Sequence, residues 1–189
     1  MVETYRTIGL AAEGLYKDKG SKFLAFAEPV SGPDEVKERL EYYRKTYHDA
    51  RHVCYAYRVR EEKNEAFELV CRSSDDGEPS GTAGRPIMGR LESLQLENVL
   101  VVVVRYFGGI LLGTGGLVVA YREATADALS HAEIVDREVT VRRTVRFPYE
   151  QMNDVMRRLK DCNAKILRQD WEDGACLIDY EINKAYGTI

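Results

Sequence analysis

The alternation of apolar and polar residues divides the chain into short strands and a few helices. Tyr5 to Leu15 and Phe23 to Val30 predict strands around the turn-forming run Lys17-Asp18-Lys19-Gly20. Ser31-Gly32-Pro33-Asp34 signals a helix start, with Pro33 suited to the first turn. Val36, Leu40, Tyr43 and Tyr47 then recur every three or four residues, so the helix is expected to run to about Tyr47. Val53, Tyr55, Tyr57 and Val59 alternate and predict a strand, with Phe67 to Cys71 as its partner. Ile87, Leu91 and Leu94 mark one face of a short helix. Asn98 to Tyr106 is a nearly unbroken aliphatic strand, a pattern of burial on both faces. A glycine loop, Gly108 to Gly116, is expected to lead into an alanine-rich helix over Leu117 to Ala132.

A second pattern begins near Asp136. Val139, Val141, Val145 and Phe147 share a strand face; Met152, Val155, Met156 and Leu159 align on a helix. Ala164 to Trp171 and Ala175 to Ile182 flank Glu172-Asp173-Gly174, a hairpin signal. The order β-α-β-β is the first two-thirds of a ferredoxin-like unit. The expected fold class is therefore α+β, with domains over 1–135 and 136–189, the second apparently incomplete because the chain reaches Ile189 before a last helix and strand.

Composition changes this picture little. At 44% hydrophobic and 31% charged residues the chain is of ordinary globular type, and its net charge of -4 weakly opposes non-specific nucleic-acid binding. The four cysteines form no C-x-x-C pair, so they read as reduced thiols, with neither a zinc ribbon nor a redox motif. The N-terminus lacks a signal-peptide pattern, and Val99 to Val104 is too short to span a bilayer, so a cytoplasmic protein with no membrane association is expected.

Two segments concentrate the polar chemistry. Ser73 to Pro86 is rich in glycine and carries Asp75, Asp76 and Glu78, carboxylates that could bind a cation, act as a base, or simply cap backbone amides. Arg105-Tyr106-Phe107-Gly108-Gly109 through Gly113-Thr114-Gly115-Gly116 runs from a buried strand through glycines into a helix. Its amides could hold an anion at the helix N-terminus, or the glycines could serve tight packing with Thr114 as a cap. It is neither a P-loop nor a dinucleotide fingerprint. His48 and His52 lack a third metal ligand at motif spacing, and Cys54 lacks an orienting partner for nucleophilic catalysis. Hence no catalytic set, metal or cofactor is expected. In the second domain, Arg142 and Arg146 share a face that could meet RNA, or that Asp179 and Glu181 could neutralise by cross-strand ion pairs.

Ser21-Lys22-Phe23, Ala50-Arg51-His52, the run Asp75 to Pro86 and the run Val104 to Leu117 together resemble the YigZ/IMPACT family over most of Tyr5 to Ala132. The resemblance implies a first domain like the second domain of ribosomal protein S-five, a superfold shared with a domain of elongation factor G, followed by a ferredoxin-like domain. It implies a translation-linked binding role, with the ribosome, RNA or a translation-associated protein as partner; the glycine loop and helix start add a phosphate-like anion as an expected ligand. The residues expected to carry binding are Lys22, His52, Asp75, Asp76, Glu78, Arg85, Arg105, Tyr106, Gly108, Gly109, Gly113, Thr114, Gly115 and Gly116. An enzyme acting on a phosphorylated small molecule through the same two loops is the alternative.

Overall fold

A computed structural model describes residues 2–63 and 66–189. The chain forms an α+β fold of two compact units, one over 6–135 and one combining 2–5 with 136–189. Residues 2–5 join the second unit because Glu3 and Asn183 exchange hydrogen bonds, Glu3 N–H to Asn183 Oδ1 at 3.1 Å and Asn183 Nδ2 to the Glu3 carbonyl at 3.0 Å.

The stretch Tyr5 to Leu15 is not one strand. It breaks at Gly9 into β1 (Thr4–Ile8) and β2 (Ala12–Asp18), because the two serve different sheets. β1 pairs with β7 (Ile134–Glu138). β2 edges a five-stranded antiparallel sheet, joined by β3 (Ser21–Pro29), β6 (Val99–Tyr106), β4 (His52–Lys63) and β5 (Ala66–Ser74), in the order β2-β3-β6-β4-β5.

Central β6 has no solvent face until its last residue. Val99, Val101 and Val103 pack under α2 (Gly84–Ser93) and α3 (Gly113–Ser130), with Ile87, Leu91, Leu117, Ala120 and Ala124. Leu100, Val102 and Val104 face α1 (Pro33–Thr46), which contributes Val36, Leu40 and Tyr43. The alternation of β4 divides likewise: Val53 and Val59 face α1, while Cys54 and Ala56 face α2 and α3. Small residues let α3 approach closely. A Cβ on Gly14 would lie 2.2 Å from the Ala128 nitrogen, so glycine is required where α3 crosses β2. The helix α3 begins earlier than expected, since Gly115 and Gly116 have no positive φ and simply form its first turn.

In the second unit, β8 (Thr140–Pro148), β10 (Ala175–Asn183) and β9 (Lys165–Glu172) form an antiparallel sheet in the order β8-β10-β9, with α4 (Met152–Asp161) between β8 and β9 in the chain. Glu181 lies opposite Arg142 in the register, and Asp179 opposite Thr144. Of the two alternatives for this face, the cross-strand ion pairs do not form among the described residues. The two carboxylates instead accept hydroxyls across the strands, Thr140 Oγ1 to Glu181 and Thr144 Oγ1 to Asp179, each at 2.6 Å. Threonine is short enough to reach its neighbour with few torsions fixed, whereas arginine on an exposed face keeps its freedom. Among the described residues neither Arg142 nor Arg146 has an acidic partner.

Two expectations follow and can be read by chemical denaturation. Gly14→Ala should destabilise by about 2 kcal/mol or more, because the methyl group meets helix backbone that cannot turn aside, while Gly89→Ala, open to solvent inside α2, should stabilise by roughly 0.5–1 kcal/mol. Arg142→Ala should change stability by less than about 0.5 kcal/mol, whereas Arg142→Glu, facing Glu181, should cost roughly 0.5–1 kcal/mol.

Candidate functional site

Both polar segments lie in the first unit, at the end of the sheet where β4 begins and β6 ends. His52 and Arg105 are register partners there, and Arg51 N–H donates to the Arg105 carbonyl at 3.0 Å. The loop after β5 folds back over them, and two of its carboxylates are occupied in doing so. Asp75 accepts three backbone N–H groups, from Gly81 at 2.9 Å, Ala83 at 3.1 Å and Gly84 at 2.8 Å. It therefore caps α2 from outside the helix, since Ala83 at the N-cap position offers no side-chain acceptor. Burial works to raise the Asp75 pKa, but the amides of Gly81, Gly84 and Ala83 outweigh it and hold the carboxyl below its usual range. Asp76 takes a left-handed backbone, φ 42°, which aspartate tolerates. This directs its carboxylate to Val53 N–H at 2.7 Å and its carbonyl to His52 Nδ1 at 2.7 Å.

Glu78 is the third acidic residue and behaves differently. It is buried, and its Oε1 accepts from Arg105 Nη1 at 2.5 Å and from the Tyr121 hydroxyl at 2.7 Å. His52 Nε2 stands 3.7 Å from the same oxygen. Because a carbonyl only accepts, His52 Nδ1 carries its hydrogen toward Asp76, and in the neutral ring Nε2 is left as an acceptor. Cys54 donates its thiol to the Asp75 carbonyl at 3.0 Å and lies 3.4 Å from the Tyr121 hydroxyl. Burial pushes the Cys54 thiol well above its usual pKa, which opposes thiolate chemistry. Burial likewise raises the Tyr121 phenol and keeps it a donor. Arg105 itself is 5% exposed, sits 5.5 Å from the rings of Phe23 and Phe107, and has no acceptor at Nε.

These groups border a cleft of about 270 Å³ lined by Arg51, His52, Glu78, Arg105, Phe107 and the start of α3 at Gly113 and Thr114. Its mouth is apolar: Phe107 and Leu111 line it and are exposed, Leu111 by 82%, and Arg51 stacks over Phe107 at 5.0 Å. The cleft thus gathers His52, Glu78, Arg105, Gly113 and Thr114 from the expected set.

Others of that set lie elsewhere. Asp75 and Asp76 serve the backbone. Arg85 is exposed on α2 outside the cleft lining. Lys22 and Tyr106 are register partners, and Tyr106 donates to Asp49 at 2.9 Å. Gly108 is a packing glycine, because a Cβ there would lie 2.0 Å from Gly20, and its N–H already donates to Ser21 Oγ at 3.1 Å. Gly109, with φ 90°, turns the chain, and Gly115 and Gly116 continue the first turn of α3. Arg142 and Arg146 belong to the second unit. The sequence reading missed Tyr121, Arg51 and Phe107 as site residues. Tyr121 had one signal, a single aromatic hydroxyl on an otherwise small and aliphatic stretch of helix.

A two-unit α+β protein with this first-unit sheet and paired loops is of one recognisable class, for the Impact N-terminal domain family matches residues 19–129. The chain belongs to the IMPACT family. It is 36% identical to the IMPACT family member YigZ of Escherichia coli over 154 residues, covering 82% of this chain and 74% of that protein. It is 43% identical to Protein IMPACT of Oryctolagus cuniculus over 98 residues, 51% of this chain and 30% of that longer protein. The crystal structure of a hypothetical protein superposes with a TM-score of 0.76 at 30% identity, over 99% of this chain and 89% of that one.

Asp75 generates a pH prediction. Its folded pKa lies below the unfolded value, so its stabilisation is complete above the ordinary carboxylate range, near pH 4, and is lost as pH falls through the folded value. Asp75→Ala should cost about 1 kcal/mol at neutral pH, as for a lost helix cap. It should also flatten the acid side of a stability–pH profile measured by urea denaturation.

Proposed function

We propose that this chain is a non-catalytic, translation-linked binding protein of the cytoplasm that contacts the ribosome or structured RNA through the first-unit cleft. The observation that carries this reading is the meeting of cationic and apolar groups at one place. Arg51 supplies positive charge, Arg105 supplies guanidinium donors whose charge Glu78 balances, the start of α3 supplies helix amides, and Phe107 and Leu111 stand exposed around them. Guanidinium groups and helix amides suit phosphates, while an exposed aromatic suits an unstacked base. The acidic net charge of the whole chain is set against this locally, because the nearest carboxylates, Asp75, Asp76 and Glu78, are already bonded. Membership of the IMPACT family supports the link to translation. No helix among the described residues is long and apolar enough to cross a membrane.

The enzyme reading retains one favourable observation, that both loops open on a single cleft bearing His52 and Glu78. Against it, Asp75 and Asp76 are committed to backbone amides and so are poorly placed to hold a cation or act as a base.

Ribosome co-sedimentation of the purified protein, with and without nuclease, tests the proposal. Binding should be lost on nuclease treatment and should fall steeply with salt, since each neutralised phosphate releases counterions. Retention of ribosomal or protein partners after nuclease would favour a protein-interaction role, and no co-sedimentation with no salt-sensitive RNA binding would overturn the reading.

A further inference from the structure

We infer that the first-unit cleft is a seat for a terminal phosphate, the dianionic head of a phosphomonoester, rather than for a phosphodiester passing across the surface. The inference deepens the binding role proposed above and rests on it for the identity of the larger partner.

Two independent observations point to an oxyanion. The first is the start of α3. The N–H groups of Gly113, Thr114 and Gly115 have no intrahelical acceptor at that position, no side chain caps them, and Gly113 and Thr114 line the cleft. The second is Arg105, which lines the same cleft. Its side chain is 6% exposed, and while Nη1 has Glu78 Oε1 as its acceptor, Nε has none among the described residues. A guanidinium this deeply buried with an unfilled donor is costly, and an oxyanion bound to the guanidinium would offset that cost and the exposed helix charge together. Glu78 does not defeat this, because its charge is balanced by Arg105 and its Oε1 is held by both Arg105 and Tyr121, while Arg51 and the helix start remain as positive groups at the cleft.

The monoester is favoured by the direction of the donors. The helix start, the Arg105 side chain and the Arg51 side chain reach the cleft from three places in the chain, α3, β6 and the residue just before β4. Donors converging from three sides are best satisfied by a group with three free oxygens, which a terminal phosphate has and a diester lacks. The cleft, about 270 Å³, is large enough for a phosphoryl head but small for a continuous strand, and its apolar rim at Phe107 and Leu111 would cover whatever the phosphate is carried on.

The test follows the backbone amide resonances of Gly113 to Leu117 in the full chain. Three probes are titrated: inorganic phosphate, a short oligoribonucleotide with a 5′-phosphate, and the same oligonucleotide with a 5′-hydroxyl. Two variants accompany them. Thr114→Glu places a carboxylate at the helix start, where it suits the helix dipole and should leave melting temperature unchanged or higher. Arg105→Lys keeps the charge and removes the fork of donors. The expected result is a shift of these resonances by inorganic phosphate or by the 5′-phosphorylated strand, with at least tenfold weaker binding in both variants. Which of the two probes binds more tightly identifies the source of the phosphate. Equal shifts from the phosphorylated and hydroxyl strands would overturn the terminal-phosphate inference while leaving RNA binding at the cleft intact. Silence of Gly113 to Leu117 with all three probes would overturn the inference outright, and ribosome co-sedimentation would then decide the broader role separately. Binding undiminished in Thr114→Glu would also overturn it, since that variant keeps the fold.

Discussion

The first unit is organised by one strand that has no outside. β6 carries Val99 to Val104 fully buried, with alternate residues committed to opposite helical layers. Such a strand must be central, must be flanked on both edges, and must be covered on both faces. β3 and β4 supply the edges, α1 covers one face, and α2 with α3 cover the other. Everything polar at the candidate site is placed by where this strand ends, for Arg105 is the next residue along and is still buried.

Carrying a guanidinium into that layer imposes its own requirements. An unpaired buried charge would be strongly destabilising, so Glu78 has to arrive from the loop after β5 and Tyr121 from α3. The loop can deliver Glu78 only if its backbone is pinned. Asp75 does this by gathering the amides ahead of α2, and Asp76 by bonding the Val53 amide at the start of β4 and the ring of His52. The carboxylates that look most available for chemistry in the sequence are therefore the ones that build the loop, and the one that sits deepest is the one that meets the cleft.

The second unit shows the contrary case. Its outer sheet face is exposed, so no burial forces charges to pair. Thr140 and Thr144 take the carboxylates of Glu181 and Asp179, and Arg142 and Arg146 are left facing solvent. Opposite charges on facing strands are compatible with a bond but do not compel one where water competes.

Much of this was determined by the chain itself. Period-two and period-three-to-four patterns are local properties of backbone geometry, so the strands, the helix with Val36, Leu40 and Tyr43, and the two-sided burial of β6 were legible. The glycine and aspartate runs were also specific enough to point to the family. What the residues alone left open was which partner each polar group would find. Asp75 could cap or catalyse, Gly108 could bind an anion or pack, and Arg142 could pair or stay free, because each outcome depends on atoms far away in sequence. Gly108 became a packing residue only when the turn at Gly20 closed on it, and Asp75 became a cap only when α2 began beside it. Glu78, Arg105 and Tyr121 lie on three separate elements, and tertiary structure alone could bring them to one oxygen. Local pattern governs which element forms; long-range packing governs which donor meets which acceptor, since hydrogen bonds act only over the last few ångströms.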